Sequence, residues 1–310
     1  MNSISRRGFL QAAAATSAGA ALAAAPLQSL WAREAKAALA VTPLATGLWM
    51  ISGAGGNVVL KAGTEGALLV DGGNAANSSA LLKLALKTAD AKKVHTLFNT
   101  HWHPDQTGSN QRAGKQGARI IAQENTRLWL GRKIVTEWLP QGYGPLPKEA
   151  LPAKSFYTTD SIDFGGDKLA FGHLGQAHTD GDLYVHFTQA NVLAAGGVVS
   201  NAGWPLLDWQ TGGWIGGLVA ACDKLLKVAN DSTKVVPANG AVMGRKELQA
   251  QRDMYFQIFD RCVKQLVKGM GPDEAADSQP AKEYEAQWGD PRAFVIASFK
   301  SLWGHYAPDA

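Results

Sequence analysis

"FNTHWHPDQTGSN", residues 98–110, sets His101 and His103 one residue apart and Asp105 two residues further on, directly behind a short apolar run. In a loop, two such imidazoles are free to converge on one ion. Neutral imidazole suits zinc, and a catalytic zinc site needs three protein ligands with one position left for water. The third candidate is His178 in "GQAHTDGDL", where Gly175 and Gly181 flank a polar loop between two expected strands. His95, His173, His186 and His305 are read as hydrogen-bonded structural histidines.

Working outward, "VHTLFNT" just before the histidine loop reads as a strand. It is preceded by "NSSALLKLALKTADAKK", which puts Leu81, Leu82, Ala85 and Leu86 on one helical face behind a cap at Asn77 or Ser78. Further upstream, "GLWMIS", "NVVLKAG" and "GALLVDGG" are short apolar runs separated by glycines, the pattern of consecutive strands. A second round follows: "ARIIAQ", a helix from about Glu124, a Pro- and Gly-rich loop over 139–152, then strands at "KLAFGHL", "DLYVHF" and "NVLAAGG". Helices are expected over 211–229 and 246–269, with "TKVVPANG" between them as strand and loop. Tyr255, Ile258, Phe259, Cys262 and Leu266 form an apolar stripe on the later helix, read as core. The alternation points to an α/β protein with two sheets packed face to face and helices outside.

The chain has 310 residues, 46% of them hydrophobic, enough for a sizeable core. Its net charge of +4 is concentrated at the start, where Arg6, Arg7, Arg33 and Lys36 against Glu34 carry +3 and leave +1 for the rest. A nearly neutral body without a dense Lys/Arg run gives no reason to expect a nucleic-acid partner. "SRRGFLQ" and the alanine-rich stretch behind it resemble a twin-arginine export signal covering residues 1–40, with cleavage after Ala37 or Ala40. That reading predicts a periplasmic or secreted protein with no integral membrane association after cleavage, and residues 41–310 as the working domain. The two cysteines, Cys222 and Cys262, exclude a disulfide framework and are read as buried hydrophobes.

"THWHPDQTGSN" resembles the metal loop of the metallo-β-lactamase superfamily, usually His-x-His-x-Asp-His. "LLVDGG", "AHTDGD", "AAGGVVSN" and "VVPANG" extend the resemblance in the expected order over about residues 44–245. The resemblance implies a four-layer αββα sandwich, here with a C-terminal helical extension from about residue 246. It also implies a first metal on His101, His103 and His178, with Asp71 supporting the metal loop by hydrogen bonds. A second metal would use Asp105 and further ligands, and those are replaced: Gln106 stands where a histidine is usual, Gly197 where an aspartate is, and Asn239 where a histidine is. Glycine offers no ligand and amide carbonyls are weak ones for zinc, so one Zn²⁺ per chain is expected. The missing aspartate at 197 also argues against an iron dioxygenase of the same superfamily.

These readings predict a mononuclear zinc hydrolase attacking the carbonyl of a small ester, amide or thioester with water activated on the metal. Asp105 is the catalytic candidate, orienting or deprotonating that water, or else a fourth metal ligand. The competing reading is a catalytically silent binding protein with one structural metal or none. Trp204, Trp209 and Trp214 are assigned either to a substrate mouth or to the core. On sequence grounds, restoring Gln106→His, Gly197→Asp and Asn239→His together should raise the stoichiometry toward two metals.

Overall fold

The computed structural model describes residues 38–306, so the twin-arginine reading of residues 1–40 lies almost wholly outside the described residues. One sheet holds seven strands in sequence order: β1 (Ala40–Ala45), β2 (Leu48–Ser52), β3 (Val58–Gly63), β4 (Gly66–Val70), β5 (Val94–Asn99), β6 (Arg119–Gln123) and β7 (Lys154–Phe156). The first four strands pair antiparallel, and β4 to β7 pair parallel. The second sheet runs β12-β11-β10-β9-β8, from β8 (Thr159–Phe164), β9 (Asp167–Gly175), β10 (Asp182–Phe187), β11 (Val192–Asn201) and β12 (Lys234–Gly240). Only β11 and β12 pair parallel in it.

Side-chain alternation builds the layers. In β4 every residue is buried, because both faces of the strand are covered. Leu68 and Val70 face inward with Phe98 and Ile121 and meet Phe171, Leu183, Val185 and Val236 of the opposite sheet. Leu69 faces outward with Leu60 and Leu97, against Leu81, Leu82 and Ala85 of the helix Ser78–Thr88. The outer face of the second sheet is covered by the helices Ile215–Val228, Arg245–Val267 and Arg292–Tyr306, whose Cys222, Tyr255, Ile258 and Phe299 pack on Leu193, Ala195 and Val235. This is the αββα arrangement with added C-terminal helices. Cys222 and Cys262 are buried free thiols within that outer layer.

Helix boundaries differ from the periodicity where local backbone chemistry intervenes. The span expected over 211–229 starts as a single 3-10 turn at Trp209–Thr211, and Gly212 in the left-handed region (φ 85°) breaks it before the helix begins at Ile215. The helix at Glu124 stops at Leu130, after seven residues. At the end of the sandwich where β4, β5 and β6 finish, the chain turns into loops, the usual place for a site in a parallel sheet. Two hydrogen bonds sew the sheets together there: Leu183 N–H donates to the Thr100 carbonyl (2.9 Å), and Asn57 N–H to that of Ala238 (2.7 Å).

Candidate metal centre

β5 delivers Thr100, His101 and His103 into the loop, and His103 is the residue before the short helix Pro104–Thr107, which opens on a proline suited to a first helical turn. β9 ends in Gly175, and the turn before β10 presents His178 from the other sheet. Asp182 fixes that turn: its carboxylate accepts from the backbone N–H of His178 (2.6 Å) and Thr179 (2.9 Å) and from the Thr179 hydroxyl (2.9 Å). The three rings form a near-equilateral triangle, with centroids 4.6 Å apart for His101–His103 and His101–His178 and 4.7 Å for His103–His178. One nitrogen from each lies within 4.8 Å of the others, and all three side chains are buried.

Neighbouring hydrogen bonds decide which nitrogen two of the rings offer. Thr100 donates through its hydroxyl to Asp71 Oδ2 (2.7 Å) and through its backbone N–H to Oδ1 (2.8 Å). With its proton so engaged, the Thr100 oxygen accepts from His101 Nδ1 (3.0 Å), which turns the bare Nε2 toward the triangle. Asp71 thus stands one hydroxyl removed from the His101 imidazole. His103 donates through Nε2 to Asp208 Oδ2 (3.0 Å), leaving Nδ1 bare. Asp208 also accepts from the Thr211 hydroxyl (2.7 Å), which in turn receives the Trp102 indole N–H (3.1 Å).

This donor set fits a tetrahedral zinc ion. Two imidazole nitrogens at the usual zinc distance and tetrahedral angle would be about 3.3 Å apart. His178 Nε2 and His103 Nδ1 are 3.2 Å apart. Burial, reinforced by its two neighbours, holds His101 in the neutral form well below the ordinary imidazole range, and burial with His103 lowers His178 to about 3. Asp208 behaves oppositely: burial would raise it, but its contacts with His103 and Thr211 keep it below the usual carboxylate range. Neutral rings backed by hydrogen-bonded carboxylates are the form in which histidine binds metal.

His101 and His178 have folded pKa values below the unfolded value of about 6.5. Their contribution is therefore complete above that pH and is lost as the pH falls toward about 3 for His178. Asp71 and Asp182, raised by burial to about 8, act in the opposite sense over the same range. With zinc chelated, the urea midpoint of the wild type should therefore fall relative to that of His178→Ala as the pH drops from about 6.5 to 5. A difference that stays constant across that window would contradict a neutral buried His178.

Asp105, the catalytic and fourth-ligand candidate, is half-buried and stands outside the cluster formed by the three histidines. Burial raises its pKa, and Gln106 Nε2 donates to its Oδ2 (3.2 Å). Gln106 itself is fully buried, packed where Gly56 leaves room, since a Cβ on Gly56 would lie 2.3 Å from its amide nitrogen. At Gly197 the space an aspartate would need is filled: a Cβ there would come within 2.3 Å of His178 Cδ2 and 2.5 Å of its Nε2. In the triple reversion considered from the sequence, the Gly197→Asp step would therefore crowd the His178 ring. The Asn239 amide nitrogen, oriented by its surroundings, donates to the carbonyls of Gly55 and Ala238 (3.2 Å each).

Two features escaped the sequence reading. Asp208 is one: a lone carboxylate in the apolar stretch "WPLLDWQ" was the available signal, masked by the tryptophans around it. The other is the aromatic wall of the centre. Trp204 stacks on Phe294 (4.9 Å), Trp214 on His305 (3.8 Å), and Trp209 lies beneath Lys300, so all three turn toward the C-terminal helices. It is Trp102 and Trp138 that stand against His103, at 4.5 and 4.7 Å, with Tyr143 stacked behind Trp102. Of the other histidines, His173 bonds the Asp180 carbonyl and His95 the Thr96 hydroxyl, as structural residues do.

Residues 52–252 match the family model of the metallo-beta-lactamase superfamily. The chain belongs to that superfamily. Among curated proteins, it is 24% identical over 258 residues to a linear primary-alkylsulfatase from Pseudomonas sp. (strain ATCC 19151), covering 69% of this chain and 48% of that protein. The chain thus spans about half the length of the curated relative it matches. Among solved structures, a metallo-beta-lactamase from Pontibacter korlensis superposes with a TM-score of 0.59 at 19% identity, over 70% of this chain and 99% of the other. The stereoselective inverting sec-alkylsulfatase Pisa1 from Pseudomonas sp. gives 0.65 at 16% identity, over 87% of this chain and 51% of its own. These likenesses establish a superfamily fold, and the relatives so named are hydrolases. Among the described residues no helix is long and apolar enough to cross a membrane.

Proposed function

We propose that this superfamily member is a hydrolase using a single zinc ion held by His101, His103 and His178 to attack the carbonyl of a small ester, amide or thioester. The observation that carries the reading is the 3.2 Å approach of His178 Nε2 to His103 Nδ1 from opposite sheets, inside a ring of three buried imidazoles. Zinc bound there would supply Lewis acidity, lowering the pKa of a water it holds to about 7 and polarising a carbonyl oxygen.

The chain's own residues do the rest. Thr100 with Asp71, and Asp208 with Thr211, lock two of the rings so that bare nitrogens face inward. Trp102 and Trp138 pack against His103 and exclude solvent on that side. Asp105 stands nearby with its pKa raised by burial, and its carboxylate would accept a proton from the attacking water and pass it to the leaving group. Gln106 supports a one-metal centre, because its amide N–H stabilises the Asp105 carboxylate where the superfamily resemblance would put a second cation. We further propose export by the twin-arginine route, on the strength of "SRRGFLQ" and the alanine-rich stretch that follows it.

The test is a panel of chromogenic ester, thioester and anilide substrates. Zinc-loaded protein should turn over at least one, lose that activity to a chelator and regain it with zinc. A flat panel with zinc bound would instead favour the reading of a silent binding protein.

A further inference from the structure

His103 is supported on two sides, by segments far apart in the chain. Its Nε2 donates to Asp208, the residue that opens the single turn Trp209–Thr211. Its ring meets Trp138 edge-on at 4.7 Å, and Trp138 also stacks on Trp102 at 5.7 Å. A ring that must present one particular nitrogen depends on both contacts staying in place.

Lys300 joins the two segments. Its ammonium donates to both carboxylate oxygens of Glu137 (3.0 Å each), the neighbour of Trp138 in the chain. The same ammonium lies 5.4 Å from the centroid of the Trp209 ring, next to Asp208, within reach of a cation–π contact. The segments also meet directly there, where the Glu137 N–H donates to Gln210 Oε1 (2.6 Å). Lys300 is itself held by the helix Arg292–Tyr306. That helix buries Phe294, Phe299 and Leu302, accepts the Ile215 N–H at Ser301 Oγ (3.2 Å) and stacks His305 on Trp214 (3.8 Å).

A partly exposed ion pair of this kind adds little to global stability. Its place gives it a different effect, because losing one ammonium loosens both supports of one imidazole and leaves the buried face of the helix intact. We infer that the helix Arg292–Tyr306, which lies beyond the residues 52–252 matched by the superfamily model, is a positioning element of the metal centre. Lys300 clamps the segments carrying Trp138 and Asp208 against His103. This rests on the zinc centre of the proposed function and not on its hydrolytic chemistry.

Two measurements on the full chain test it with Lys300→Ala and Lys300→Arg. Zinc release into an excess of chromogenic chelator should be about three- to tenfold faster in Lys300→Ala, less than the loss of a group bonded to the ligand itself causes. Lys300→Arg should stay close to the wild type, since a guanidinium serves both the carboxylate and the aromatic ring. In the zinc-free protein, hydrogen exchange read by mass spectrometry should quicken over residues 133–143 and 207–213 in Lys300→Ala alone. Glu137→Ala, which breaks the ion pair from the other side, should speed zinc release likewise and serves if Lys300→Ala does not fold. Unchanged zinc release would overturn the inference, as would equal acceleration in Lys300→Arg or faster exchange spread over the whole chain. A flat substrate panel with these differences intact would instead strike the hydrolase reading alone.

Discussion

Gly197→Ala should abolish tight zinc binding about as completely as His178→Ala. A single methyl carbon at position 197 would sit 2.3 Å from His178 Cδ2, well inside van der Waals contact, and 2.5 Å from the nitrogen that faces the metal. The ring must swing away, and with it goes one of three ligands; residue 197 lies on the fully buried stretch of β11, so the backbone cannot yield instead. Zinc affinity measured by competition with a chromogenic chelator should weaken at least about 100-fold, beyond the loss that removal of a supporting partner causes. The fold should survive, because overpacking at one site costs about 1–3 kcal/mol. Unchanged affinity would mean that the His178 ring does not need the space the glycine leaves.

Asp208→Ala is expected to weaken zinc binding by about 10- to 100-fold, the effect of removing the carboxylate that orients a metal-bound histidine. The substitution leaves His103 Nε2 and the Thr211 hydroxyl without their buried acceptor, so the ring is freer to turn and to offer the wrong nitrogen. Asp208→Asn keeps an oxygen able to accept from His103 and should recover most of the affinity. That rescue separates positioning from bulk packing: equal losses in both variants would show that Asp208 merely fills space.

The fold was legible because local chemistry and tertiary environment agree. β4 and β5 read as apolar strands since both their faces are covered, and the helix Ser78–Thr88 carries its buried residues at helical spacing behind Asn77. The histidines at 101, 103 and 178 were legible for a related reason, as glycine-flanked loops at strand ends are where a sandwich can present polar side chains. What stayed hidden was set by distant pairing. Asp208 meets a residue 105 positions away, and nothing near it in the chain distinguishes it from an ordinary loop aspartate. Gly197 reads as a position without a ligand side chain, and in space it also leaves the room that the His178 ring fills. The sequence leaves Trp204, Trp209 and Trp214 between a substrate mouth and the core, and their turn toward the C-terminal helices is set by partners far along the chain.

The central claim is that three imidazoles from two sheets hold a single ion, and zinc stoichiometry tests it most directly. Protein incubated with excess zinc, desalted and assayed by inductively coupled plasma mass spectrometry should carry one zinc per chain, falling to none in His178→Ala. No zinc in the wild type, or two per chain, would contradict the account.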